Sequence, residues 1–177
     1  MNLLILMCIF YTSNATYYCN MHVVIEDCLF DMWNRDAGIA KSSVTTIINN
    51  LNRVYHNTVF QQMDLEFQLE KLSLGSEICS SKDAKLHSKA CLHKFSHHSL
   101  TNSSLYCLHY LFTYRDFANG HVGLAFPGVV CKDSSVSQAF NVGLITFLNA
   151  GWNQSLEMAS ENLAHEVRFA SFTSLTV

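Results

Sequence analysis

The stretch ENLAHEVRF, residues 161–169, decides how the rest of the chain is interpreted. It places His165 and Glu166 side by side in a segment with helical character. In the H-E-x-x-H pattern, two histidines four residues apart on one helix face hold a zinc ion, and the glutamate acts as general base. Here the first half of the pattern is present, and Phe169 stands at the position of the second histidine. The stretch therefore indicates the ancestry of a metal-site helix more clearly than its activity.

The segments upstream of this stretch predict alternating strands and helices. Runs of β-branched, aromatic or alternating apolar residues predict strands at 21–26, 63–70, 105–113, 122–126 and 140–148. Apolar residues spaced three and four apart predict a helix over about 37–57, capped by Asp36, and a last helix that begins near Asn153 or Ser155. A right-handed crossover through the first helix makes the first two strands parallel. We expect the last strand to be broken at Gly143.

Two segments carry expectations about their position in the fold. The strand at 122–126 contains a glycine and is stopped by Pro127, which suits the edge of a sheet. Residues 75–104 are polar and rich in serine, lysine and histidine, so we interpret them as an exposed insertion with room for a short helix. The histidines of this segment show no regular ligand spacing. The sequence therefore favours a hydrophilic loop over a metal site there.

Composition and charge narrow the class of protein. The 177 residues fit one domain with a sizeable core, because 49% of them are apolar and only 14% are charged. A formal net charge of −3 offers no basic field for a nucleic-acid backbone, so we expect no nucleic-acid partner. Beyond the first residues, no segment is long and apolar enough to predict a transmembrane helix.

The amino terminus and the cysteines indicate the secretory pathway. An apolar run of eight residues at 3–10, followed by small and polar residues, predicts a signal peptide over residues 1–15, and the alternative is a buried first strand. The chain has seven cysteines, which agrees with an oxidising compartment. Asn14, Asn102 and Asn153 each begin an N-x-S/T sequon. We therefore expect a secreted or extracellular protein.

An ordered set of motifs resembles the metalloproteinase domain of the ADAM (disintegrin and metalloproteinase) family, Kuzbanian-type sheddase branch. The motifs are CLHYLFTYRDF at 107–117, VGLA at 122–125, VC at 130–131, NVGLIT at 141–146 and LAHEV at 163–167. Together with Cys19 and the helix through 53–55, the likeness covers roughly residues 19–167. It implies an α/β (α+β) fold of metzincin type, in which a mixed, twisted, five-stranded sheet packs on two long helices.

The resemblance also implies roles for individual residues. His165 is the first zinc ligand and Glu166 the catalytic base that activates the zinc-bound water, so Zn²⁺ is the implied cofactor. The substrate, an extended peptide or protein segment, lies in a cleft beside the edge strand at Val122, Gly123, Leu124 and Ala125.

The cysteines of the chain follow the family pattern only in part. The resemblance implies a disulfide between Cys19 and Cys107. It gives Cys131 a partner that lies beyond residue 177. Cys79 and Cys91 have no counterpart in the pattern. A local disulfide between them, across the insertion, is an alternative that the sequence allows.

The likeness stops at Val167, inside the most diagnostic motif. The second and third histidines and the methionine turn are absent, so we interpret residues 168–177 as an unrelated tail and expect the C-terminal subdomain to be missing. The family function is zinc-dependent endopeptidase activity that sheds membrane-protein ectodomains, and with one histidine we expect this chain to be inactive. The alternatives are a secreted, non-catalytic pseudoprotease that binds peptides or partner proteins, and a decayed gene copy.

Overall fold

A computed structural model describes residues 17–57, 65–79, 85–102, 105–127 and 139–172, and one sheet of five strands runs through them. The strands are β1 (Tyr17–Glu26), β2 (Leu65–Ser76), β3 (Leu108–Thr113), β4 (Gly123–Ala125) and β5 (Val142–Thr146). They lie in the order β2-β1-β3-β5-β4. All neighbours are parallel except β4, which is antiparallel to β5. The predicted mixed sheet and the parallel crossover between the first two strands are confirmed.

Four α-helices, a 3-10 helix (Leu100–Asn102) and a small hairpin complete the described part of the chain. The helices are α1 (Asp27–Met32), α2 (Ala37–His56), α3 (Ser88–Ser99) and α4 (Leu156–Phe172), and β6 (Leu148–Asn149) pairs with β7 (Trp152–Asn153). The Asp36 carboxylate accepts hydrogen bonds from the backbone N–H groups of Gly38 (2.7 Å) and Ile39 (3.0 Å), which confirms the predicted cap of α2. None of the described helices has the length and apolarity that a membrane span requires.

Helices α2 and α4 cover one face of the sheet. Every residue of β3 and β5 is buried, as expected for central strands with helices on both faces. The apolar cluster on this face combines Val44, Ile47, Ile48 and Leu51 of α2, Ala159, Leu163 and Val167 of α4, and Met21, Val23, Ile25, Tyr110, Phe112 and Ile145 of the sheet. The pair of long helices that the sequence predicted is therefore held on the sheet by a continuous apolar layer.

The opposite face of the sheet is covered by α3, and here the sequence interpretation was wrong. Within the described residues of 75–104 the short helix is present as α3, but it is not an exposed insertion, because Cys91, Leu92 and Phe95 are buried against Val24 and Leu111 of the sheet. The exposed side of α3 carries the histidines and lysines that dominate its composition. A helix with a narrow apolar stripe has a hydrophilic average, which concealed its buried face.

Strand β5 is continuous through Gly143, so the predicted break at that residue was also wrong. A Cβ atom at position 143 would lie 2.4 Å from Cε1 and 2.6 Å from Cζ of Tyr110 on the neighbouring strand. The glycine therefore makes room for an aromatic ring and does not interrupt the strand.

Two disulfides tie the described residues together. Cys19, near the start of β1, is bonded to Cys107, just before β3. Cys79 is bonded to Cys91 of α3, which links the end of the β2 segment to the second face of the sheet. Cys28 is the free cysteine of the described residues. Expectations about residues 1–15, Cys131 and residues 173–177 lie outside the described part of the chain.

Candidate functional site: helix α4 against strand β4

Helix α4 begins at Leu156, directly after its cap Ser155, and is anchored to the end of β5. The Ser155 hydroxyl accepts a hydrogen bond from the Met158 N–H (3.2 Å), which selects Ser155 over Asn153 as the cap. The buried Gln154 side chain donates to the Thr146 carbonyl (2.9 Å) and accepts from the Asn162 side chain (2.6 Å). These bonds and the buried apolar face determine the rotation of α4 about its axis.

Because of this rotation, the neighbours His165 and Glu166 point in different directions. Successive helical residues are about 100° apart, so adjacent side chains face different surroundings. His165 is exposed, whereas Glu166 is buried with 9% of its surface accessible. Burial raises the pKa of the Glu166 carboxyl to about 7, against the opposing effect of a hydrogen bond from the Ala125 backbone N–H. A carboxylate with a pKa near neutrality has the property that general-base chemistry requires.

The partner of Glu166 is the edge strand β4. Within the described residues β4 pairs only with β5, where Leu124 lies opposite Leu144. A Cβ atom at Gly123 would lie 2.8 Å from Cγ and 3.0 Å from Oε1 of Glu166. The glycine therefore permits the close approach of the Glu166 side chain to the strand. Of the residues expected to line a cleft, Val122 and Leu124 are half-buried, and Gly123 and Ala125 are buried.

A further polar residue, Tyr110, lies near this site and was not singled out in the sequence. Its side chain is fully buried against Gly143, and its hydroxyl has no hydrogen-bond partner among the described residues. Burial raises the pKa of the Tyr110 phenol well above its usual value, and the negative charge of Glu166 adds to the effect. The sequence signal was a tyrosine within an otherwise apolar strand, which indicates a polar atom in the core but not its neighbour.

The residues present do not fit a catalytic zinc ion. Such sites hold zinc with three protein ligands and leave a fourth position for water. Within the described ranges, no three histidine, cysteine, aspartate or glutamate side chains are grouped so that they could hold a metal ion. Phe169 stands four residues after His165, and Leu175 stands where the longer H-E-x-x-H-x-x-G-x-x-H pattern has its third histidine. The donor set therefore supplies one imidazole.

A second group of polar side chains, the buried His22 and His109 and the half-buried Ser73, lies within the sheet on the α3 side. The Nδ1 atoms of His22 and His109, on neighbouring strands, are 3.3 Å apart, and His22 Nε2 lies 2.9 Å from the Ser73 hydroxyl. Burial lowers the pKa of His22 to about 4, with smaller effects from the charges of Lys71 and His98. Sequence reasoning missed this group because its members come from three separate strands.

The chain is similar to known metallopeptidases. A model of the metallo-peptidase family M12 matches residues 15–167. Disintegrin and metalloproteinase domain-containing protein 10 of Homo sapiens is 25% identical over 174 residues, which are 88% of this chain and 23% of that protein. Its homolog in Caenorhabditis elegans is 24% identical over 177 residues, 82% of this chain and 19% of that protein. This chain thus spans less than a quarter of the length of these relatives.

A further relative and one solved structure are also similar to this chain. Disintegrin and metalloproteinase domain-containing protein 32 of Homo sapiens is 28% identical over 117 residues, 64% of this chain and 14% of that protein. A solved chain from the "Structure of a chaperone-substrate complex" superposes with a TM-score of 0.60 at 16% identity, over 87% of this chain and 23% of the other. At that identity, the superposition supports the fold alone.

Proposed function

The chain belongs to metallo-peptidase family M12, and we propose that it binds an extended peptide without hydrolysing it, along the edge of β4 that pairs with no other strand of the described residues. The observation that carries this proposal is the position of β4 at the end of the sheet, with α4 packed beside it. An open strand edge recognises an extended peptide through backbone hydrogen bonds, and nearby pockets select its side chains.

The pairing of β4 with β5 supports this mode of binding. The Val122 carbonyl accepts a hydrogen bond from the Thr146 N–H (3.0 Å), and Leu124 lies two residues further along, opposite Leu144. Backbone groups alternate in direction along an antiparallel strand. Gly123 and Ala125 therefore direct their N–H and C=O groups away from β5. These are the groups that an added peptide strand would use.

The chemistry of the donor set supports binding without hydrolysis. The family implies a zinc ion that would polarise the peptide carbonyl and acidify a water molecule. His165 is the one imidazole that the pattern retains, so the pattern supplies one of the three protein ligands that a catalytic zinc ion requires. Glu166 keeps the buried position and the pKa of about 7 that suit a general base. That observation favours the second candidate, zinc-dependent hydrolysis of the kind that sheds ectodomains.

We also place the protein in the secretory pathway or outside the cell. The two disulfides of the described residues, Cys19–Cys107 and Cys79–Cys91, are of a kind that forms and persists in an oxidising compartment. The substrate or partner is then a secreted or membrane-protein segment that lacks regular structure.

The binding proposal is tested with a capped, fluorescein-labelled hexapeptide of alternating threonine and valine, which favours the extended conformation. Two derivatives carry N-methyl groups on alternate residues, one on the odd positions and one on the even positions. Because only alternate N–H groups face the strand, we expect one derivative to bind at least about tenfold more weakly by fluorescence anisotropy and the other to bind like the parent. Equal effects of the two derivatives, or no binding by the parent, would refute β4 addition.

Metal analysis and mass spectrometry distinguish the two candidate functions, peptide binding and zinc-dependent hydrolysis. After equilibration with Zn²⁺ and gel filtration, we expect far less than one zinc per chain, and we expect the peptide to remain intact. Stoichiometric zinc together with cleavage that a chelator blocks would replace the binding proposal with the hydrolytic one. A Glu166→Gln variant serves as the control for that cleavage.

A further inference from the structure

The free edge of β4 offers few backbone donors within the described residues. Val122 and Leu124 face β5, whereas Gly123 and Ala125 face outward. A peptide that extends the sheet has to satisfy these outward groups, because a buried N–H without an acceptor costs free energy comparable to a lost hydrogen bond.

One of the two outward donors is already in use. The Ala125 N–H donates a hydrogen bond to the Glu166 carboxylate. The Glu166 side chain reaches it by lying against Gly123, where its Cγ and Oε1 are within 2.8 and 3.0 Å of the position that a Cβ atom would take. The carboxylate thus lies along the part of the strand that an added peptide would pair with.

The helix that carries Glu166 cannot move aside without breaking the core. Leu163 and Val167, on the same helix, are fully buried in the apolar layer between α4 and the sheet. A peptide that reaches Ala125 therefore displaces only the Glu166 side chain, through a change of rotamer. The peptide therefore has to displace one side chain and break one hydrogen bond.

We propose that the Glu166 carboxylate is an internal competitor for the β4 edge, which holds the Ala125 N–H until a peptide strand displaces it. The inference rests on the proposed binding of peptides at β4 and adds a regulation of that binding. It predicts that, in the protein without peptide, the Ala125 N–H is occupied by the Glu166 carboxylate and the Gly123 N–H is available for pairing.

The first test needs no peptide. In the wild-type protein we expect slow hydrogen exchange at the Ala125 amide, measured by NMR, and in Glu166→Ala we expect exchange at this amide to become at least about tenfold faster. The matched control is Glu161→Ala, which removes an exposed carboxylate from the same helix. Unchanged protection of the Ala125 amide in Glu166→Ala would overturn the inference.

The second test uses the labelled threonine–valine hexapeptide. We expect Glu166→Ala to bind it about tenfold more tightly than the wild type, because the donor is no longer occupied, and we expect Glu161→Ala to bind it like the wild type. If Glu166→Ala fails to fold, the isosteric Glu166→Gln replaces it, with an expected gain of about threefold since a neutral amide is a weaker acceptor.

The outcomes separate the two proposals. Equal or weaker binding by the Glu166 variants, with good binding by the wild type, overturns the competitor role and leaves peptide binding at β4 intact. No binding by any variant overturns both. Faster exchange at Ala125 together with tighter binding supports both.

Discussion

At the scale of single residues, glycine positions decide which large side chains reach the sheet. Gly123 admits Glu166 to the edge strand, and Gly143 admits the ring of Tyr110 to the centre of the sheet. Both glycines lie in strands, where a residue without a side chain weakens local packing unless another group fills its space. In this protein the filling groups are a carboxylate and a phenol that sequence patterns do not connect with either glycine.

The first prediction concerns Gly143. Gly143→Ala places a methyl group 2.4 Å from the Tyr110 ring in a buried region, so we expect the free energy of unfolding to fall by about 2 to 3 kcal/mol in urea denaturation. Tyr110→Leu removes the ring. The loss in the free energy of unfolding that it causes should be smaller in the Gly143→Ala background than in the wild type. Identical costs in the two backgrounds would show that the methyl group and the ring do not interact.

The second prediction concerns the pH dependence that His22 imposes. Its pKa is about 4 in the folded protein, below the ordinary value of 6.5, so the folded state binds fewer protons than the unfolded state between these values. The contribution of neutral His22 to the free energy of unfolding is fully present above about pH 6.5. We expect the free energy of unfolding to decrease by roughly 2 kcal/mol, after allowance for solvent screening, as the pH falls to about 4.

The measurement for His22 is urea denaturation at several pH values. His22→Gln should lose less stability than the wild type on acidification, whereas His56→Gln, an exposed control on α2, should follow the wild type. Parallel pH profiles for the wild type and His22→Gln would rule out His22 as the source of the acid sensitivity. The titratable groups that face His22 are His109, Lys71, His98 and Tyr106, which remain in all three proteins.

At the scale of secondary-structure elements, side-chain hydrogen bonds and ring contacts hold helices against strands that are separate in the sequence. The Asn52 side chain of α2 donates to the Phe67 carbonyl (2.9 Å) and accepts from the Phe67 N–H (2.8 Å), so it pairs with β2 as another strand would. Tyr55 of α2 packs edge-on against the Phe67 ring, with 4.9 Å between the ring centroids. The position of α2 on the sheet therefore depends on polar as well as apolar contacts.

The third prediction follows from this contact. Asn52→Ala leaves the Phe67 N–H and C=O without their partner, so we expect a loss of about 1 to 3 kcal/mol in the free energy of unfolding. Asn49→Ala, an exposed asparagine on the same helix, should change it by less than about 0.5 kcal/mol. Similar effects of the two substitutions would mean that solvent replaces the Asn52 bonds without cost.

At the scale of the whole molecule, the disulfides constrain the chain unequally. Cys19–Cys107 closes a separation of 88 residues and joins two central strands, whereas Cys79–Cys91 closes a separation of 12 residues. In the chain-entropy description, a longer closed loop removes more conformations from the unfolded state. The pair between β1 and β3 should therefore contribute more to stability.

The fourth prediction compares the two bridges. Replacing Cys19 and Cys107 with alanine should lower the free energy of unfolding by about 4 to 5 kcal/mol, and replacing Cys79 and Cys91 should lower it by about 3 kcal/mol. Both variants are measured by urea denaturation under oxidising conditions. A larger loss from the Cys79–Cys91 pair would show that packing of α3, and not loop closure, determines the effect.

Sequence reasoning predicted the order and type of most elements because hydrophobic period and turn residues are local properties. It predicted the cap of α2 at Asp36, the parallel first strands and the edge position of β4. It missed the burial of α3, since the polar average composition of that segment conceals a narrow apolar stripe along the helix. It also misread Gly143, because the reason for that glycine is a ring on another strand.

The sequence by itself determined the family, the arrangement of a mixed sheet between helices, and the presence of one histidine and one glutamate from a zinc-site pattern. The family follows from the ordered motifs that resemble the ADAM metalloproteinase domain, and the sheet between helices follows from hydrophobic periodicity and the handedness of crossovers. Only the tertiary structure decided that His165 faces outward while Glu166 lies against Gly123 and holds the Ala125 N–H. That arrangement depends on the rotation of α4, which is set by contacts between residues that are distant in the sequence.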